Sequence, residues 1–298
     1  MAVVAFVVFL LLYLTPGDPA AILAGDAATS EDIKRIREKL GLDDPFHERF
    51  GQWIWRLLHG DLGISIFTNL PVTTLIGQRI EPTLSLTLCT LVLSVMVAVP
   101  MGVIAAARAG SWIDRLVMAF SVGGFSVPVF VLAYVLIYTF SIELDWLPVQ
   151  GYRPLSDGLW EWAQHLILPS IALGTVYIAL IARMTRAAML DVLAQDYVRT
   201  AQAKGLAPGA VLVRHALKNA AVPIATVVGI GVALLIGGAI VTETVFALPG
   251  IGRLTVDAIL RRDYPIIQGV VLMFSAAYVL INLAVDLSYM LFDPRIRY

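Results

Sequence analysis

Leu84 to Ala107 read LSLTLCTLVLSVMVAVPMGVIAAA, 24 positions without one charged side chain. A surface helix of a soluble domain needs a polar face for water, and this stretch has none. About 20 mostly apolar residues carry a helix across the hydrocarbon core of a bilayer. The stretch is therefore read as a transmembrane helix. The rest of the chain agrees with it. Of 298 residues, 59% are hydrophobic and 14% charged, and the mean hydropathy is +0.82. Soluble domains carry about 25% charged residues. A water-soluble fold of this size cannot hide so much apolar surface. Disordered, collagenous and disulfide-rich secreted classes are excluded. The formal net charge of −1 gives no basic field for nucleic acid. The single cysteine, Cys89, lies inside the apolar run and forms no intrachain disulfide.

Five further segments resemble this one: Met1–Leu14, about Leu116–Phe140, Leu166–Ala182, Val222–Val241 and Ile267–Phe292. The expected fold is an all-α polytopic membrane protein with six transmembrane helices. The first segment is short, since 14 residues rise only about 21 Å against a core of about 30 Å. It has the length of a signal-peptide apolar region but no basic leader, so it is read as a first membrane helix whose cytoplasmic start is absent from the chain. The expected organisation is this helix (1–14), an external segment with short helices (15–82), and a core domain (83–298) with five spans and a cytoplasmic loop at 183–221.

Lys and Arg set the orientation. Arg183, Arg186, Arg199, Lys204, Arg214 and Lys218 cluster between the fourth and fifth spans, opposed by Asp191 and Asp196. Arg108 and Arg115, and the tail residues Arg295 and Arg297, fall on the same side of a six-span chain. The loop after the third span carries Glu143, Asp145, Asp157 and Glu161 against Arg153. Both termini are expected in the cytoplasm and residues 15–82 outside. In that outer segment Thr29 and Asp32 resemble a capping box, Ile33, Ile36 and Leu40 share a helical face, and Gly41 can close the helix. Trp53, Ile54, Trp55, Leu57 and Leu58 form a second apolar cluster, read as an interfacial helix or a docking surface. No internal repeat stands out.

Several chemistries are missing from the sequence. There is no G-x-x-x-x-G-K-[ST] loop for nucleotide, no H-E-x-x-H or paired-cysteine metal motif, and no G-x-S-x-G elbow. His47, His59, His165 and His215 read as loop or boundary residues. Asp286 and Glu243, the acidic groups nearest the lipid, sit toward span ends and are read first as snorkelling or end-capping side chains. An ion-coupled carrier usually places charges nearer the midplane, and a membrane-embedded enzyme would show a nucleophile or metal constellation.

The informative segment is cytoplasmic. Asp196 to Pro223 read DYVRTAQAKGLAPGAVLVRHALKNAAVP. The composition is helical up to Lys204, Gly205 can end that helix in a left-handed conformation, and Pro208 can open the next at its first turn. The result is a helix–turn–helix hairpin that leads into the fifth span.

This hairpin resembles the EAA-type loop of permease subunits in ABC importers. Tyr197-Val198-Arg199-Thr200-Ala201, Ala203-Lys204-Gly205 and Arg214-His215-Ala216-Leu217-Lys218-Asn219-Ala220 are similar to the dipeptide/oligopeptide (peptide/nickel) branch, inner-membrane subunit of the B type. Arg199 stands where the general motif has Glu, and Thr200 replaces its first Ala. Leu14-Thr15-Pro16-Gly17-Asp18-Pro19, Glu243 to Arg253 (ETVFALPGIGR) and Asp293 to Tyr298 (DPRIRY) resemble the same branch. The likeness covers nearly the whole chain, apart from the basic segment that members carry before the first span.

The resemblance implies a type I importer permease in a bacterial inner membrane, and no catalytic or metal site of its own. It implies a second homologous permease, two ABC ATPases that use ATP and Mg, and an external binding protein that delivers a peptide-like substrate. The loop would supply a coupling helix for the ATPase, with Tyr197, Arg199, Thr200, Ala201, Lys204, Gly205 and Pro208 forming it. Glutathione or a nickel chelate is the alternative cargo. Packing or gate candidates come from the residues themselves. Gly229, Ala233 and Gly237 make a small-residue stripe, and Pro128 can kink the third span. Pro249, Gly250 and Gly252 form an external turn that serves a gate, meets the binding protein or only reverses the chain.

Overall fold

The computed structural model describes residues 2–14, 20, 29–39 and 43–292, and every structural statement below concerns these. Residues 15–19, Leu40, Gly41 and Asp293–Tyr298, which carry part of the expected caps and family-like segments, lie outside them. The described chain is helical. Its elements are α1 (Ala2–Leu14), α2 (Ser30–Lys39), α3 (Phe46–Leu58), α4 (Val72–Ala107), α5 (Trp112–Ser126) and α6 (Val129–Leu136), which continues as a π-helical stretch over Ile137–Glu143. Then come α7 (Leu159–Leu193), α8 (Asp196–Ala203), one α-turn at Pro208–Ala210, a second π-helical stretch at Val211–Leu217, α9 (Lys218–Val245), α10 (Ile251–Arg261) and α11 (Tyr264–Phe292).

The chain divides into two compact units. One comprises Met1–Glu81 with Arg253–Ala277, the other Pro82–Gly252 with Tyr278–Tyr298. In the first, Phe9 of α1 packs on Phe46, Phe50 and Trp53 of α3, with ring centroids 5.2–5.4 Å apart. The aromatic cluster around Trp53 thus packs against α1. A single antiparallel bridge joins Ile64 and Pro71. Buried Asp263 closes that turn, accepting from Ser65 Oγ at 2.6 Å and from the Ile66 N–H at 3.3 Å.

The second unit is built around α7. Lipid tails are as apolar as leucine, so membrane helices are held by close van der Waals packing more than by escape from water. Small residues bring α7's neighbours in. A Cβ on Gly102 of α4 would lie 2.6 Å from Thr185 Cβ and 2.7 Å from the Ala182 carbonyl oxygen. One on Gly124 of α5 would lie 3.0 Å from Ala179 Cβ, and one on Gly238 of α9 2.9 Å from Leu173 Cδ1. Along α7, Leu166, Leu168, Leu173, Ile181 and Met189 are fully buried.

The expectation of six spans needs correction. Among the described residues, four helical stretches are long and apolar enough to cross a membrane: Val72–Ala107, Leu159–Leu193, Pro208–Val232 and Tyr264–Leu287. A fifth crossing exists only if Trp112–Ser126 and Val129–Glu143, bent by 101°, count as one span. The continuous helix expected over 116–140 is broken because Val127 is extended (φ −90°, ψ 120°) before Pro128. Proline disfavours a helical residue before it and has no N–H to continue the ladder. Pro128 therefore caps α6 rather than kinking one helix. Helix α1, with 13 residues, falls short of a crossing by length. Helix α7 in turn outruns its expected span, reaching Leu193. Arg183, Arg186 and Asp191 did not end it, since charges are compatible with helix once it leaves the lipid.

Candidate functional site

The hairpin after α7 has a small core of its own. Gln195 caps α8 in extended conformation, and Lys204 ends it. Gly205 follows with φ +80°, in the left-handed region. Its N–H donates to the Gln202 carbonyl at 2.9 Å, and the Leu206 N–H donates to the Ala201 carbonyl at 3.3 Å. This pair of bonds is a Schellman cap, which satisfies carbonyls left open at a helix end. Ala207 is then extended, and Pro208 occupies the first helical position, where its missing N–H costs nothing. Val198, Ala201 and Val211 are buried against one another, with Leu193 and Leu206 packed alongside. This small core fixes the angle between the two arms.

The same core decides which side chains face out. Tyr197 is 45% exposed, and Arg199, Thr200, Lys204, Gly205 and Pro208 are exposed as well. Ala201 faces inward, so its place in the loop is packing within the hairpin. Arg199 lies 3.5 Å from Asp196 one turn earlier, and both are exposed. Thr200 Oγ donates to the Asp196 carbonyl at 2.9 Å. What the hairpin presents is an aromatic ring, two cations and a rigid glycine turn on a short helix.

Ten residues before α8, Arg186 forks onto Asp114, with Nε to Oδ1 at 2.5 Å and a terminal nitrogen to Oδ2 at 2.7 Å. The Gly110 N–H also donates to Asp114 Oδ2 at 2.9 Å, and Ser111 Oγ accepts from the Asp114 N–H at 3.4 Å. Bidentate Arg–carboxylate pairs fix geometry as well as charge. The short loop before α5 is thereby tied to the extension of α7 that carries the hairpin. In the sequence Arg186 counted only as a loop cation, since nothing local marks Asp114 as its partner.

The other candidates separate. A Cβ on Gly229 would overlap Val285 of α11, so this glycine packs within the chain. Gly237 has nothing within 4 Å. The side chain of Ala233, between them, lies outside the described residues. The structure does not make the stripe one packed face. The turn after α9 is packed rather than open: Gly250 and Gly252 are buried while Pro249 is exposed. Both glycines abut the Glu243 carboxyl, and no side chain fits at either position without displacing it. Glu243 is fully buried and accepts from Thr83 Oγ at 2.6 Å. Thr83 Oγ in turn accepts from the Ile251 N–H at 2.8 Å. Glu243, read from the sequence as an end-of-span group, is thus the anchor of this turn. The signal for it was the pair of glycines seven and nine residues later.

No group of His, Cys, Asp and Glu among the described residues could hold a metal ion. Comparison with known proteins adds what the geometry lacks. Residues 98–298 match the family described as binding-protein-dependent transport system inner membrane component. Residues 1–87 match the N-terminal part described for the same system. The chain is 56% identical over 298 residues to the "Probable peptide ABC transporter permease protein y4tP" of Sinorhizobium fredii, covering 100% of this chain and 95% of that protein. It is 44% identical over 296 residues to the glutathione transport system permease protein GsiC of Escherichia coli, covering 99% and 94%. Among solved structures, an inward-facing form of the MetNI methionine ABC transporter overlays with a TM-score of 0.60 at 17% identity, over 74% of this chain and 96% of that one. At that identity the overlay speaks for the fold alone.

Proposed function

The chain belongs to the family of binding-protein-dependent transport system inner membrane components, and from that premise we propose how it works. It is a membrane permease subunit of an ABC importer and not itself an enzyme. In the proposed reading it forms half of the pathway for dipeptides and oligopeptides, beside a second homologous permease. Two ATPases sit beneath the pair, and an external binding protein delivers the peptide. The observation that carries the reading is the hairpin: a rigid, outward-facing short helix on a chain with no nucleotide loop. A permease without a P-loop needs a handle through which another protein's ATP cycle can move it. The outward face of α8, with Tyr197, Arg199, Thr200 and Lys204, is that handle, and Gly205 and Pro208 set its angle. A large apolar or aromatic anchor and a few cations are the residue types that carry docking energy.

The proposed orientation puts residues 15–82 outside and both termini in the cytoplasm. The Lys/Arg asymmetry of the loops supports it. The test is labelling of intact cells after Cys89→Ser. A cysteine at Ser156 is expected to react with an impermeant thiol reagent added outside, and one at Gly209 is not. The reverse pattern overturns the orientation. Peptide cargo is tested by uptake of a labelled dipeptide into cells lacking this gene, with and without the gene restored. Glutathione belongs in the same panel, because GsiC is so similar; restored glutathione uptake without dipeptide uptake selects that cargo instead.

We place Gly237 at the contact with the second permease, because its face of α9 is open within the chain. Overpacking costs about 1–3 kcal/mol, which is about 5- to 150-fold in a binding constant. Gly237→Leu is therefore expected to reduce co-purification of the second permease by about tenfold or more, while the chain still inserts. Normal co-purification puts this face toward lipid.

A further inference from the structure

A groove of about 550 Å³ runs along α9 in the second compact unit, beside α4 and the last part of α11. Val95, Leu217, Ala221, Ala225, Val228 and Val285 are among its lining, and every described residue that lines it is apolar. On α9 the lining reaches from Leu217 to Val232, a rise of about 22 Å. Volume over length gives a mean cross-section of about 25 Å². A helix about 10 Å across needs at least about three times that section, so the groove does not seat a helix of a second copy or of a partner. A single side chain fills only a fraction of its length. One leaflet's share of the hydrocarbon core is about 15 Å, so a groove of this length runs from the headgroup level to the middle of the bilayer. A single acyl chain has the shape and the chemistry to fill it.

The end of the groove near the hairpin is charged. Lys218 lies about two turns before Ala225 and so on the same side of α9, and Arg214 lies about one turn earlier still. Both are exposed, and among the described residues neither has a salt bridge. The acidic groups around them are engaged or displaced. Asp196 contacts Arg199, and Asp191 is exposed on α7. Asp286 adjoins Val285, which packs at Gly229, about 16 Å along α9 from Lys218. Cations at the end of a membrane helix reach for the interface, where lipid phosphates lie. Basic pockets between membrane helices recognise anionic headgroups.

We propose that this groove is a binding site for one anionic phospholipid, with an acyl chain along α9 and the phosphate held at Arg214 and Lys218. The site needs α9 in the membrane, but neither the peptide cargo nor the proposed orientation. Gly237, the proposed contact with the second permease, lies about 140° around α9 from Val232, so lipid and permease do not compete. The experiment uses the complete transporter in nanodiscs doped with phosphatidylglycerol that carries a photoreactive diazirine in one acyl chain. Peptide mapping after illumination is expected to find adducts on α9 between Leu217 and Val232. A phosphatidylcholine probe with the same chain is expected to give about tenfold fewer adducts there. Arg214→Gln combined with Lys218→Gln should bring the phosphatidylglycerol probe down to that level. Ala225→Leu narrows the groove and should lower labelling with both cations in place. Subunit stoichiometry reports whether each variant assembles, and Lys218→Gln alone gives the same direction if the double variant does not. Equal labelling by the two probes, or labelling unchanged in assembled variants, overturns the proposal. So does loss of labelling in excess inorganic phosphate, which would make it a site for free anions. Labelling that the isolated permease shows and the complete transporter lacks also overturns it, and gives the groove to a partner subunit.

Discussion

Gly205→Val is expected to leave the protein inserted and paired with its second permease, yet to cut ATP-coupled uptake by at least about tenfold. Gly205 has φ +80°, a genuine outlier for a β-branched residue. Holding valine there costs on the order of 1–3 kcal/mol. Distorting the turn instead breaks the two Schellman bonds through Gly205 and Leu206. In that case Val198 and Ala201 of α8 lose their packing on Val211, and the helix points elsewhere. Arg199→Glu tests the same site by charge alone. Its contact with Asp196 joins two exposed groups, and exposed pairs contribute only about 0–1 kcal/mol. The fold should therefore survive, while the outward face of α8 loses one of its two cations. Gly209→Ala is the control, because a Cβ there meets nothing within 4 Å. The measurement is complex stoichiometry, ATPase rate and vesicle uptake on the same samples. Full assembly with normal coupling in both variants would remove the handle from this loop.

The second large effect is expected inside the membrane. Gly102→Val puts bulk where a Cβ would already sit 2.7 Å from the Ala182 carbonyl oxygen. A backbone atom cannot swing aside like a side-chain tip, so α4 and α7 must part. The loss should exceed the roughly 1–3 kcal/mol usual for overpacking, and little folded protein should be recovered. Thr185→Gly removes the second clash, with Thr185 Cβ at 2.6 Å, but leaves the carbonyl, so it should rescue only in part. Gly123→Ala faces open space in α5 and should be neutral or slightly stabilising, since alanine is favoured over glycine in a helix by about 0.5–1 kcal/mol. Thermal unfolding of the purified subunit in detergent separates the three. Equal stability of Gly102→Val and Gly123→Ala would contradict the close crossing.

What the sequence makes legible is what is local. The apolar run at Leu84–Ala107 declares a membrane helix by length alone. The Lys204-Gly205 step and Pro208 punctuate the hairpin because a left-handed cap and a first-turn proline are properties of single residues. Pro128 was visible as a disturbance, but whether proline kinks a helix or starts a new one depends on the residue before it, and Val127 went extended. The missing parts are non-local. Asp114 and Arg186 are 72 residues apart, and Thr83 and Glu243 are 160 apart. No spacing rule joins such pairs, so Glu243 read as an end-of-span carboxylate until the fold brought Thr83 and two glycines against it. The small-residue stripe on α9 is legible only as a face for the same reason. Periodicity marks a face, but only the neighbours tell which glycines are used, and Gly238 and Gly229 are packed where Gly237 is open.

The central claim is that all the free energy for transport enters from ATPases through this permease. Its most direct test is accumulation of labelled dipeptide in proteoliposomes that contain both permeases and both ATPases, with binding protein supplied on the outer side. Accumulation that requires ATP and Mg on the inner side, and that persists when proton and sodium gradients are collapsed, is the predicted result. Accumulation driven by an ion gradient without ATP would contradict it and make the chain an ion-coupled carrier.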